Sequence, residues 1–149
     1  MDDVMMRMVE LRQQGFFCSQ ILIILALDAQ GKSNPDLVRA MKGLYGGMGN
    51  CGKICGTLTG GACLLALYAA KGTPEEQEDS RLNTMINELV GWFEQECRTR
   101  FKTGINCSEI LEHDDNNRKT RCPQIVLATF EKAREILAAH NIDFSGQSA

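Results

Sequence analysis

The sequence predicts an all-α protein: a compact bundle of about five to six helices with a cysteine site at helix N-termini. Apolar residues recur at helical spacing along most of the chain, and no stretch shows the sustained apolar-polar alternation of a half-buried strand. With 149 residues, of which 44% are hydrophobic, the chain is long enough to bury a core of its own. We therefore expect a single helical domain over residues 1–149, with a polar tail from about residue 143.

The first part of the chain predicts three helices. The first covers about residues 2–14, where methionine and leucine recur on one face. The second opens at Cys18 and continues to about Ala29. For the third, Asn34 is the expected N-cap and Pro35 the first helical residue, because proline has no N–H to leave unsatisfied there.

A glycine-rich loop and two further helices are predicted next. The loop occupies residues 46–54, and the fourth helix follows over about 55–70. Thr73 and Pro74 then predict the start of a long fifth helix, since acidic residues follow them near the positive end of the helix dipole. Its apolar stripe continues to about Lys102.

The last part predicts a short turn of helix, a polar loop and a final helix. The short helix follows Cys107, and the polar loop covers 112–121. The final helix is expected to begin behind Cys122 and Pro123 and to end near His140.

Charge and hydropathy exclude two classes of partner. The net charge of -3 argues against binding nucleic acid, and the only basic cluster is residues 116–121. The two apolar runs at 21–27 and 56–70 are shorter than the roughly 18 to 20 residues that span a bilayer, so we expect no membrane insertion. The first residues do not resemble a secretory signal, which predicts a cytoplasmic location.

Seven cysteines are many for a cytoplasmic chain, and an odd number cannot all pair within one molecule. In a reducing compartment such a number favours metal binding or redox chemistry over structural disulfides. Four of them fall at predicted helix starts: Cys18, Cys55, Cys107 and Cys122. Free N–H groups and the helix dipole stabilise a thiolate there, the form that binds metals and attacks disulfides.

Gly52, Gly56 and Gly60 allow close backbone approach around the second of these cysteines, so backbone N–H groups are expected to donate to sulfur there. The other three cysteines differ in setting. Cys63 and Cys97 continue apolar helix faces and are expected in the core. Cys51 lies in the glycine loop four residues before Cys55, where it would serve as a resolving thiol or an extra ligand.

Four segments carry a resemblance to a known family: "GFFCSQ" at 15–20, "YGGMGNCGKICGTLTG" at 45–60, "GINCSEIL" at 104–111 and "RCPQIV" at 121–126. They resemble the redox-active protein family named for its C…CGAxxG…C…C pattern, over about residues 5–137. The resemblance places the four family cysteines on Cys18, Cys55, Cys107 and Cys122, and the motif glycines on Gly56 and Gly60. Thr57 stands where the family has alanine.

The resemblance implies an all-helical protein with a cysteine-centred redox site. The family also resembles the helical N-terminal part of split-Soret cytochromes c, whose haem-binding part has no counterpart in this chain. It implies no established reaction.

Three hypotheses follow for the site. The first is an iron-sulfur cluster bound by Cys18, Cys55, Cys107 and Cys122, for electron transfer to a redox partner protein or for redox sensing. The second is a metal-free thiol-disulfide oxidoreductase in which Cys55 attacks and Cys51 or Cys18 resolves. The third is a structural zinc ion that ties helix ends together in an interaction module. The abundance of apolar helices also suggests a homodimer.

Overall fold

The structure is a computed structural model that describes residues 3–146. Over these residues the chain forms seven α-helices, one 3-10 turn at Lys42–Leu44 and no strand beyond an isolated β-bridge, which confirms the all-α class. The helices are α1 (Asp3–Gln13), α2 (Cys18–Ala29), α3 (Pro35–Met41), α4 (Gly56–Ala69), α5 (Leu82–Phe101), α6 (Cys107–Leu111) and α7 (Asn117–Ala139).

Helices α2 and α4 form the centre of the bundle. Residues 21–27 of α2 are all buried, so this helix is surrounded by protein on every side. The two helices approach closely at Gly60, where a Cβ atom would lie 3.0 Å from the Cα of Ser19. The Ser19 hydroxyl donates to the carbonyl of Met41 at 2.8 Å, which connects α2 to the end of α3.

Helices α5 and α7 cover α4 with one apolar face each. On α5 this face is a stripe at helical spacing that is fully buried: Met85, Leu89, Phe93 and Cys97. Cys97 is therefore a core residue, as its position on the stripe predicted.

The predicted start of α5 was wrong by about eight residues, because the segment 74–81 forms turns rather than helix. Its acidic side chains bind backbone N–H groups outside a helix. Glu76 accepts from the N–H of Gly72 at 2.5 Å, and Asp79 accepts from the N–H of Arg81 at 2.8 Å. Short acidic side chains that bind nearby backbone in this way favour turns over helix.

The predicted start of α7 was also wrong, because the helix begins at Asn117 and has Pro123 in its interior. Two side chains hold this first part of α7 against the end of α6. The Asn117 amide donates to the carbonyl of Leu111 at 2.8 Å, and Arg121 donates to that of Ile110 at 2.7 Å. Cys122 therefore lies within a helix and not at a helix N-terminus.

The segment after α7 packs against the bundle as far as it is described. The ring of Phe144 stacks on Tyr68 with centroids 5.1 Å apart, and the Tyr68 hydroxyl donates to the carbonyl of Phe144 at 2.6 Å. The rest of the expected polar tail, residues 147–149, lies outside the described residues. None of the helices within 3–146 is both long and apolar enough to cross a membrane.

Candidate cysteine site

The four cysteines at predicted helix starts come together from four different helices. Cys18 is the first residue of α2, Cys55 the N-cap of α4, and Cys107 the first residue of α6, while Cys122 lies in the second turn of α7. Their thiols are close enough that the charge of one affects the pKa of another. Cys18 and Cys122 each raise the pKa of Cys55, and Cys18 and Cys107 each raise that of Cys122.

Backbone pairing joins the start of α4 to the start of α6. Ile54 and Asn106 form an antiparallel bridge. On either side of it, the N–H of Cys55 donates to the carbonyl of Ile105 at 3.0 Å, and the N–H of Cys107 donates to that of Lys53 at 2.6 Å. This pairing fixes the backbones of two site cysteines side by side, although about fifty residues separate them in sequence.

Glycine is required at position 56 for a steric reason. A Cβ atom there would lie 2.7 Å from the carbonyl oxygen of Leu44 and 3.0 Å from the sulfur of Cys18. The first turn of α4 can therefore rest directly on the Cys18 sulfur only because Gly56 has no side chain. The second motif glycine, Gly60, has a different surrounding: it contacts Ser19 and Leu22 in the packing of α4 on α2.

Backbone and side-chain donors approach the sulfurs. The N–H groups of Ser19 and Gly46 act on Cys18, and that of Thr57 acts on Cys55; each lowers the pKa of its cysteine. The Thr57 hydroxyl lowers the pKa of both Cys18 and Cys55, and it is buried without a hydrogen-bond partner of normal length within the described residues. A buried hydroxyl of this kind is available to donate to a thiolate at the site.

Burial affects the pKa values of these cysteines more strongly than the donors do. Removal from water is the main reason that the pKa values of Cys18, Cys55 and Cys107 lie above the ordinary thiol value. It likewise raises the pKa of Cys122, to about 11. Burial therefore disfavours the thiolate form of all four cysteines, and a nearby positive charge favours it.

Two arginines supply part of that positive charge. The guanidinium of Arg118 lowers the pKa of both Cys107 and Cys122, while that of Arg12 lowers the pKa of Cys122. The Arg118 guanidinium also lies 5.1 Å from the centre of the Tyr45 ring. Sequence reasoning missed both arginines as site residues, although the basic cluster at 116–121 was the signal for Arg118.

A single-ion site is not preformed in the part of the chain that the structure describes. There, no group of three or more His, Cys, Asp or Glu side chains is arranged to hold one metal ion. Zinc at about 2.3 Å from each thiolate requires sulfurs roughly 3.8 Å apart in a tetrahedron. The kind of donors fits an iron-sulfur cluster, which is bound by four thiolates with N–H groups directed at the sulfurs.

The three remaining cysteines differ from one another in exposure. Cys51 is exposed in the glycine loop, Cys63 is partly buried on α4, Cys97 is buried on α5, and all seven cysteines are free thiols. His113 is exposed in the loop between α6 and α7.

Comparison with known proteins gives one result. A family model described as "Putative redox-active protein (C_GCAxxG_C_C)" matches residues 16–136, a range that includes all seven cysteines. The pattern in the family's description has glycine before its second cysteine, whereas this chain has Ile54 before Cys55 and Gly56 after it. No curated protein and no solved structure gives a significant match. Because the match covers most of its length, the chain belongs to the C_GCAxxG_C_C family of putative redox-active proteins.

Proposed function

We propose that Cys18, Cys55, Cys107 and Cys122 bind an iron-sulfur cluster, and that the protein transfers electrons or senses redox state through it. The observation that carries the proposal is the approach of these cysteines from different helices: the Ile54–Asn106 bridge sets Cys55 beside Cys107, and the first turn of α4 packs against the Cys18 sulfur at Gly56. The electrostatic effects of Cys18 and Cys107 on the pKa of Cys122 agree with a position of Cys122 near the same group. Membership of a redox-active family supports the same class of function. When bound, the cluster supplies one-electron transfer.

The surrounding residues are suited to hold charged sulfurs. Backbone N–H groups at Cys18 and Cys55 favour charge on these sulfurs, and the buried Thr57 hydroxyl has no hydrogen-bond partner among the described residues, so it is available to donate to a thiolate. Such donors raise the reduction potential of a thiolate-bound cluster. Arg12 and Arg118 offset negative charge on the Cys122 side.

The metal-free thiol-disulfide mechanism is less well supported. Its attacking thiol, Cys55, is only 6% exposed, and burial raises its pKa well above the ordinary value. A neutral, covered thiol is a poor nucleophile. The mechanism has two candidate resolving thiols. Cys18 is close enough to Cys55 to raise its pKa, whereas Cys51 is exposed on the glycine loop and is not among the groups that affect Cys55.

The test is iron and acid-labile sulfide analysis, with an absorption spectrum, of protein purified without oxygen. We expect iron and sulfide in stoichiometric amounts and visible absorption. Replacing any of the four site cysteines by serine should remove both, whereas Cys51→Ser and Cys63→Ser are matched controls that should keep them. A colourless, iron-free wild type would contradict the proposal.

Two further measurements would then separate the alternatives. Reversible loss of two thiols in a redox titration would favour the oxidoreductase, and bound zinc would favour the structural module.

The physiological electron donor and acceptor are expected to be redox partner proteins of the cytoplasm. A reducing cytoplasm would also keep the seven cysteines in the free thiol form that the structure has.

A further inference from the structure

A cavity opens beside two of the site sulfurs. Its volume is about 340 Å³, and it lies between α1, the start of α2 and the first turns of α7, with Cys18 and Cys122 in its wall. Clefts of about 300–1,000 Å³ are typical of small-molecule sites. This cavity is at the lower end of that range, which suits a ligand of one or two rings.

The cavity combines an apolar wall with a positive rim. Met5, Val9 and Val126 contribute apolar surface, and Arg12, Arg118 and Lys119 contribute charge. Among the residues that the structure describes, no Asp or Glu lines it. The local charge is therefore opposite in sign to the net charge of the chain, which is -3.

Two of the three cations have no carboxylate partner. Among the described residues, Arg12 and Lys119 form no ion pair, and only Arg118 does, with the exposed Asp115 at 3.3 Å. The Arg12 guanidinium lies over the Phe17 ring, 4.4 Å from its centroid, a contact that leaves its N–H donors without a carboxylate. An unpaired guanidinium and ammonium beside apolar surface bind most favourably to a group that brings both an anion and an apolar body.

We propose that this cavity binds a small organic anion with an apolar, ring-sized body, held next to the sulfurs of Cys18 and Cys122. The acidic group lies at Arg12 and Lys119, and the apolar body packs against Met5, Val9 and Val126. The inference goes beyond the proposed function, because it concerns a ligand held by residues of α1 and α7 beside the cysteines and not the group that the cysteines themselves bind.

The probe is dimethylaminonaphthalene sulfonate, which joins a two-ring apolar body to an anion and fluoresces when bound in apolar surroundings. Its uncharged parent, dimethylaminonaphthalene, has the same rings without the sulfonate. We expect saturable binding of the sulfonate to the folded protein as purified, at least about fivefold tighter than the parent at low salt. Equal affinity for the two compounds, or no saturable binding of the sulfonate, would overturn the proposal.

Matched variants locate the site. Val9→Trp fills the mouth of the cavity from α1, and its control Met6→Trp places the same ring at an exposed position of α1 that does not line the cavity. We expect Val9→Trp to weaken binding of the sulfonate at least about fivefold and Met6→Trp to leave it unchanged. Equal weakening by the two would place the bound probe elsewhere and refute the assignment.

Charge variants test the rim. The double variant Arg12→Gln, Lys119→Gln should bind the sulfonate about fivefold or more weakly, and its affinity for the uncharged parent should be unchanged. The control is Arg98→Gln, an exposed arginine on α5 away from the cavity. An equal loss for both compounds, or an equal effect of the control, would contradict a role of the rim in recognising the anion.

Discussion

Gly56 is the residue at which backbone packing and sulfur position depend most directly on each other. We expect Gly56→Ala to destabilise the fold by about 1–3 kcal/mol, since the new methyl group has no room between the Leu44 carbonyl and the Cys18 sulfur. The displaced sulfur should also lower the iron content of the purified protein. Urea unfolding and iron analysis of the same preparation measure the two effects.

The matched control for this substitution is Gly91→Ala on α5. A Cβ atom at Gly91 would meet no other atom within 4 Å, so alanine should raise helix stability by roughly 0.5–1 kcal/mol and leave iron content unchanged. If Gly56→Ala behaved like Gly91→Ala, the close contact at Cys18 would not be needed for the site.

Thr57 offers a second prediction, about the electronic environment of the sulfurs. Its hydroxyl is buried without a normal hydrogen-bond partner and acts on both Cys18 and Cys55. Thr57→Val keeps the shape and removes the donor, so we expect the cluster to remain and its midpoint potential to become more negative. A potentiometric titration followed by absorption measures the shift.

The control for Thr57→Val is Thr129→Val, which removes a similarly buried hydroxyl on α7, where Thr129 faces Gly61 of α4. Both variants should be about as stable as the wild type or more stable, because each removes an unsatisfied polar group. Only Thr57→Val should change the potential. An unchanged potential would mean that the hydroxyl does not act on the sulfurs.

Single residues were predictable from sequence where local chemistry decides their position. Local contacts mark two of the cysteine helix starts: the Gln20 side chain accepts from the N–H of Phe17 just before Cys18, and the Glu109 side chain accepts from the N–H of Asn106 just before Cys107. Cys55 is itself the N-cap of α4. Arg12 approaches Cys122 only because α1 packs against α7, which is a tertiary contact with no local signature. The same holds for the charge that Arg118 brings to Cys107.

At the scale of elements, the turn before α5 depends on a charge pair. The Arg81 guanidinium beside Asp79 lowers the pKa of that carboxyl from the ordinary 3.8 to about 2. Since the folded-state pKa is lowered, the ionised carboxylate stabilises the fold above about pH 4, and this contribution is lost as pH falls toward about 2. Asp79→Asn should therefore lower the urea midpoint slightly at about pH 6, and the difference from wild type should narrow toward about pH 2.

The control for Asp79→Asn is Glu94→Gln on α5, an exposed carboxylate with no ion pair within the described residues. The difference in urea midpoint between Glu94→Gln and wild type should not narrow as the pH is lowered toward about 2. A pH-independent effect of Asp79→Asn would mean that its side chain acts through the turn hydrogen bond to the Arg81 N–H and not through its charge.

The helix starts that the sequence misplaced share a physical cause. Proline is common in the first turn of helices, so Pro74 and Pro123 each predicted a start. In the first case acidic side chains capture backbone N–H groups in turns, and α5 begins only at Leu82. In the second, contacts to the end of α6 stabilise an extra turn and a half before the proline. Both helix starts depend on side-chain hydrogen bonds, which the helix propensity of single residues does not predict.

At the scale of the whole molecule, the fold class was predictable and the distances within the site were not. Helical periodicity and continuous apolar runs are local, and they correctly indicate α2 and α4 as core helices. The meeting of Cys55 with Cys107 depends on an isolated bridge between two loops, which leaves no pattern in sequence. Phe144 likewise packs on Tyr68, within the segment that the sequence predicted as a polar tail.

Because the four site cysteines belong to four helices, binding at the site is expected to stabilise the whole fold. A group that binds the folded chain but not the unfolded one raises the free energy of unfolding according to its affinity. Removing iron by oxidation and chelation should therefore lower the urea midpoint of the wild type. The same treatment should leave the midpoint of Cys122→Ser unchanged, because that variant is expected to hold no cluster to lose. Complete loss of iron with an unchanged wild-type midpoint would mean that the four helices hold their arrangement without the bound group, and that the site is preformed by packing alone.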